Sequence, residues 1–115
     1  MKKLKILLIE DNPDLAEMIL DYLDHEVIWI NNMTEALPFI NDNYLDLIIA
    51  DFNLGDGYST DLNILDFDTP LIIQSGVPSC LLERKIKKAN QFLTKPYSLE
   101  ELDSAIKRCV KINKT

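Results

Sequence analysis

An α/β fold is predicted: a doubly wound, five-stranded parallel sheet with helices on both faces. Two observations carry it. Short apolar runs alternate with stretches of helical period, and the 115 residues fit a single domain spanning 1–115, since domains run from about 50 to 250 residues.

The first apolar run, Leu4 to Ile9, ends in Glu10 and Asp11. Pro13 then stands where a first helical residue belongs, Asp14 and Glu17 complement the helix dipole, and Leu15, Met18, Ile19, Tyr22 and Leu23 recur at helical spacing as an inward face. The second run, Val27 to Ile30, makes Trp29 a core or edge packing residue. Asn32 with Glu35 three positions on caps a second helix, on which Met33, Ala36, Leu37 and Ile40 share a face. Pro38 within it predicts a kink, or a helix starting late enough to leave the proline near its first turn.

The third run, Leu45 to Ala50, precedes Asp51. A third helix of barely two turns fits Ser59 to Leu65, ahead of the fourth run, Leu71 to Ile73. The fourth helix opens near Pro78-Ser79 and turns Leu82, Ile86 and Ala89 inward. After the fifth run, Phe92 to Leu93, a capping box from Ser98 to Glu101 starts the fifth helix. That helix carries Leu99, Leu102, Ile106, Cys109 and Val110 inward and closes near Ile112.

Composition narrows the function. With 47% apolar and 27% charged residues the chain is an ordinary globular protein, and folding buries roughly two-thirds of its unfolded surface. A net charge of −7 and the lack of a helix-turn-helix segment disfavour nucleic-acid binding by this chain alone. The apolar run after Met1 is too short for a signal or membrane segment, so the chain reads as cytosolic. Cys80 and Cys109 lack metal-ligand spacing and read as reduced residues, and the lone His25 receives no role. The basic stretch Arg84, Lys85, Lys87 and Lys88 fits the end of the fourth helix, where cations complement the dipole, ahead of a second reading as a partner-docking patch.

Open parallel sheets bind ligands beyond the carboxyl ends of their strands. Four of the five predicted strands end in polar groups there: Glu10 and Asp11, Asp51, Ser75 with Gly76, and Lys95 with Pro96. Carboxylates gathered at one edge raise each other's pKa unless a cation stands among them, and oxygen-only donors suit a hard ion such as Mg²⁺. Lys95 adds a mobile positive charge and Ser75 a hydroxyl. Such a set suits phosphoryl transfer onto a carboxylate.

The stretches Ile-Glu-Asp-Asn-Pro, Ile-Ile-Ala-Asp-Phe-Asn-Leu-Gly-Asp-Gly, Gln-Ser-Gly and Phe-Leu-Thr-Lys-Pro-Tyr, in this order along almost the whole chain, resemble the receiver domain of two-component response regulators, the CheY-like superfamily. The resemblance implies a flavodoxin-like (βα)5 fold with strand order 2-1-3-4-5. It implies that Asp51 is the phosphoacceptor, served by a sensor histidine kinase or a histidine phosphotransfer protein. Glu10, Asp11 and Asp51, with the backbone carbonyl of Asn53, would hold Mg²⁺. Lys95 would pair with the phosphoryl group, Ser75 would swing toward it, and Phe92 would change rotamer. The Lys95-Pro96 bond would be cis. Leu81, Phe92 and Tyr97 would contribute to a surface of the fourth helix, fifth strand and fifth helix, the family's usual site for a dimer partner or a downstream protein target.

Phe92 stands where the family more often has tyrosine, and Asn53 and Val77 occupy the two positions that tune phosphoryl lifetime. The chain would act as a phosphoacceptor and not as an enzyme with turnover. Two other functions use the same residues: a small Mg²⁺-dependent phosphatase with Asp51 as nucleophile, and a receiver-like interaction module that is never phosphorylated.

Overall fold

The computed structural model describes residues 3–54, 57–58, 68–76, 86 and 89–112. In chain order these form β1 (Lys5–Ile9), α1 (Pro13–Tyr22), β2 (Glu26–Ile30), α2 (Met33–Asp42), β3 (Leu47–Asp51), β4 (Asn53–Leu54), β5 (Gly57–Tyr58), β6 (Leu71–Ser75), β7 (Gln91–Thr94) and α3 (Leu99–Ile112). Five strands make one parallel sheet in the order β2-β1-β3-β6-β7, while β4 and β5 form a two-residue antiparallel ladder just past β3. Counted within the main sheet alone, the order is the expected 2-1-3-4-5.

Side chains alternate across each strand, so every strand feeds two cores. Ile6, Leu8, Leu47, Ile49, Ile72 and Leu93 face one layer, closed by Ala16 and Ile19 of α1 and by Leu102, Ala105, Ile106 and Cys109 of α3. Leu7, Ile9, Ile48, Ala50, Leu71 and Ile73 face the other, closed by Met33, Ala36 and Ile40 of α2 and by Ile86. Strands covered on both faces read as continuous apolar runs, which is why β1 and β3 stand out in the sequence.

The caps at Asn32 and Ser98 form as the sequence predicts, and Asn12 adds one at the start of α1. Asn12 Oδ1 accepts from the main-chain N–H of Asp14 at 3.0 Å, and Asn32 Oδ1 accepts from that of Glu35 at 2.8 Å. Ser98 and Glu101 close a reciprocal box: Glu101 N–H donates to Ser98 Oγ at 3.0 Å, and Ser98 N–H donates to Glu101 Oε1 at 3.1 Å.

Some expectations are corrected. Met18 and Tyr22 are exposed, by 54% and 43%, and not part of the inward face. The line through Ala16, Ile19 and Leu23 faces the sheet, and Met18 and Tyr22 each lie one residue, about 100°, round the helix from it. Asn32 caps α2 directly before Met33, so the helix does not start late and Pro38 lies beyond its first turn with its ring exposed. The fourth strand extends past Ile73 to Ser75, which brings Gln74 inside it.

The expected third helix, with Ser59 and Leu65, lies outside the described residues, as do Val77, Pro78, Ser79, Cys80, Leu81, Leu82, Arg84, Lys85, Lys87 and Lys88. Of the expected fourth helix, Ile86 and Ala89 are described, and both pack against the core beside α2, as predicted. No helix among the described residues is long and apolar enough to cross a membrane.

Candidate functional site

The carboxyl ends of β1, β3, β6 and β7 converge, because a parallel sheet sends all its strands to one edge. Glu10, Asp51, Gln74 and Ser75 are the buried polar or charged residues among those described, and all four stand at this edge. The site is thus where the sheet stops being apolar.

Glu10 and Asp11 follow β1, whose neighbour β2 holds the Glu10 main chain twice. Glu10 N–H donates to the Ile30 carbonyl at 3.2 Å, and Trp29 Nε1 donates to the Glu10 carbonyl at 2.7 Å. Trp29 is therefore half-buried packing, as expected, and also a tie on the site's backbone. Glu10, Asp11 and Asp51 each present a carboxylate oxygen within 4.8 Å of the others. Lys95, just beyond β7, reaches into this group: its Nζ lies 3.1 Å from Asp51 Oδ2 and 3.4 Å from Glu10 Oε1. The Lys95-Pro96 peptide is cis, and Lys95 N–H, one residue past β7, donates to the carbonyl of Ser75, the last residue of β6, at 2.7 Å.

Burial pushes the Asp51 carboxyl above its ordinary pKa of 3.8; Lys95 opposes the rise and Asp11 adds to it. Burial likewise raises Glu10 above 4.5, with the Asn12 N–H and Lys95 opposing and Asp51 contributing. Among the described residues three carboxylates thus face one ammonium, which leaves the cluster short of positive charge. An oxygen-only donor set under that imbalance fits a hard divalent cation.

The structure brings together Glu10, Asp11, Asp51, Ser75 and Lys95. Asn53 lies two residues past Asp51 in the β4–β5 ladder, where only its backbone belongs to the described residues. Phe92 is half-buried and packs against the core layer of α2, whereas Tyr97 packs against the opposite layer, beside α3. Two site neighbours escaped the sequence reading. Gln74 Nε2 donates to Glu10 Oε1 at 2.6 Å, and Tyr97 Oη donates to Gln74 Oε1. A polar residue inside an otherwise apolar strand was the available signal for Gln74. The resemblance places Tyr97 on a partner surface, whereas its ring packs against the layer beside α3 and its hydroxyl is bonded to Gln74.

No family model matches the chain. Protein PilG of Pseudomonas aeruginosa is 33% identical over 115 residues, covering 90% of this chain and 85% of PilG. The transcriptional regulatory proteins BaeR of Escherichia coli and CiaR of Streptococcus pneumoniae are 27% and 31% identical, and the chain spans about half of their lengths, 46% and 52%. Among solved structures, the signal receiver domain of a Vibrio parahaemolyticus protein superposes with a TM-score of 0.87 at 27% identity, covering 98% of this chain and 94% of that one. The receiver domain of a sensor histidine kinase from P. aeruginosa, solved with a magnesium ion coordinated in its active site cleft, gives 0.78 at 24% identity, covering 96% of this chain and 99% of that one. Sheet order, the acidic edge and these relatives agree: the chain belongs to the receiver domains of the two-component response regulators.

Proposed function

We propose that the chain is a phosphoacceptor switch in which Asp51 takes a phosphoryl group from a phosphohistidine on a sensor kinase or phosphotransfer protein. The observation that carries this is the meeting of Glu10, Asp11 and Asp51 within 4.8 Å, with Lys95 Nζ 3.1 Å from Asp51. One carboxylate oxygen of Asp51 forms the new O–P bond as the P–N bond to the donor imidazole breaks, and the departing ring ends neutral, with its proton balance met by solvent. Lys95 is a charge that can follow the phosphoryl oxygens, and Ser75, at the end of β6, a hydroxyl within the same edge. Glu10, Asp11, Asp51 and the Asn53 carbonyl would hold Mg²⁺, which when bound offsets the negative charge of the transferred group.

The nucleophile is itself the acceptor, so the chain assists its own phosphorylation and dephosphorylation without turnover of a small substrate. The readout is a change in the surface formed by the region after β6, by β7 and by α3, offered to a downstream protein or to a second copy. Phe92 in β7 is a rotamer element of that surface.

The test is an amide NMR titration with beryllofluoride, a stable stand-in for the phosphoryl group, with and without Mg²⁺, in wild type and Asp51→Asn. Saturable, Mg²⁺-dependent shifts centred on Asp51, Ser75 and Lys95 and reaching Phe92 are expected in the wild type alone. A folded wild type that shows none leaves the interaction-module reading in place.

A further inference from the structure

Among the described residues, Gln74 is the one buried polar residue of the site edge to which the acceptor reading gives no work. It is 0% exposed, and its primary amide is committed at both ends. Nε2 donates to Glu10 Oε1 at 2.6 Å, and Oε1 accepts from Tyr97 Oη. The partners set which way the amide points, because a carboxylate accepts only from the nitrogen while the hydroxyl can donate to the oxygen. Glu10 Oε2 accepts from the Asn12 main-chain N–H at 3.0 Å, so each oxygen of this carboxylate has a fixed donor.

Among the described residues Lys95 is the other donor to Glu10 Oε1, and it is shared with Asp51. A phosphoryl group on Asp51 would draw that ammonium away, while Gln74 stays, since its amide is anchored in β6 and by Tyr97. A neutral amide also orients the carboxylate without cancelling the charge it brings to a cation. We infer that Gln74, steered by Tyr97, is a positioning residue: it holds the Glu10 carboxylate in the orientation that lets Glu10, Asp11 and Asp51 converge on one cation. The inference rests on the cation-binding reading of the site.

The experiment titrates Mg²⁺ into wild type, Gln74→Met, Tyr97→Phe, Glu10→Gln and the Glu10→Gln/Gln74→Met double variant. Binding is followed by amide shifts and by the fluorescence of Trp29, the chain's single tryptophan, whose indole is bonded to the Glu10 carbonyl. Removing the donor behind a metal-binding carboxylate weakens metal affinity by about 10-fold or more, so Gln74→Met should raise the Mg²⁺ midpoint by that factor. Tyr97→Phe should raise it less, because the amide keeps its donor to Glu10. In the Glu10→Gln background Gln74→Met should change nothing further, which separates action through Glu10 from general loosening of the core.

Wild-type midpoints in both Gln74→Met and Tyr97→Phe, or an equal further loss in the double variant, would overturn the inference while leaving the cation site intact. A wild type that binds no Mg²⁺ would overturn the cation reading and the inference together. Should Gln74→Met not fold, Tyr97→Phe decides: a raised midpoint supports the inference and an unchanged one rejects it.

Discussion

Asp51 and Glu10 both titrate higher in the folded chain than their ordinary values of 3.8 and 4.5, chiefly through burial. The folded state therefore holds their protons more tightly than the unfolded state, and the sign follows. The stability these groups supply is whole below the unfolded values and is lost as pH rises through the raised ones. Without divalent cations, Asp51→Asn should melt higher than wild type at pH 7, with the gap closing toward pH 4; each 1 kcal/mol is worth about 4 °C in a domain of this size. Equal melting temperatures across that range would show the carboxylate to be fully compensated by Lys95. Cys109 gives a second residue-scale prediction. Burial pushes its thiol up to about 11, so in a Cys80→Ser background it should react with a thiol reagent at pH 8 only as fast as the chain unfolds. Glu10, Asp11, Asp51, Ser75 and Lys95 were legible in the sequence because each follows an apolar run, and a parallel sheet sends all those ends to one edge. Gln74 and Tyr97 were not, because their roles depend on a side chain reaching from β6 past β3 to the end of β1, a distance set by strand order and register.

Among the elements, the termini were the most readable parts, since caps are local chemistry. Ser98→Ala should cost α3 about 1 kcal/mol in urea denaturation, having removed the acceptor of the Glu101 N–H at 3.0 Å. A loss near zero would mean that the box adds nothing to a helix already held by Leu102, Ala105 and Ile106. Pro38 in α2 predicts the opposite sign. Proline in a helix interior costs about 3 kcal/mol relative to alanine, and its restriction of the unfolded chain returns about 0.4–1 kcal/mol. With the ring exposed there is little packing to lose, so Pro38→Ala should stabilise by about 2 kcal/mol, read by the same denaturation. Faces were harder to read than ends. Met18 and Tyr22 share helical spacing with Ile19 and Leu23, and only the tilt at which α1 meets the sheet decides which line is covered. Strand ends were blurred for a related reason: Gln74 and Ser75 are ladder residues, paired with Leu93 and Thr94, although neither is apolar.

For the whole molecule, a net charge of −7 and the concentrated charge of the site make different claims about divalent cations. Spread surface charge responds to ionic strength of any kind, because exposed groups are screened within about 8–10 Å at physiological salt. A cation held among Glu10, Asp11 and Asp51 binds the folded state alone and stabilises it by mass action, by about 2.7 kcal/mol at 100 times its dissociation constant. At neutral pH, saturating Mg²⁺ should therefore raise the wild-type melting temperature by about 10 °C, taking about 4 °C for each 1 kcal/mol. NaCl at the same ionic strength should give only a small part of that rise. In Asp51→Asn the difference between the two salts should shrink sharply, and in wild type Mg²⁺ should reverse the fall in stability with rising pH, since a bound cation favours the ionised carboxylates. If NaCl matched Mg²⁺ in both proteins, the effect would belong to the surface as a whole, and the acidic edge of the sheet would be receiver architecture without a cation to serve.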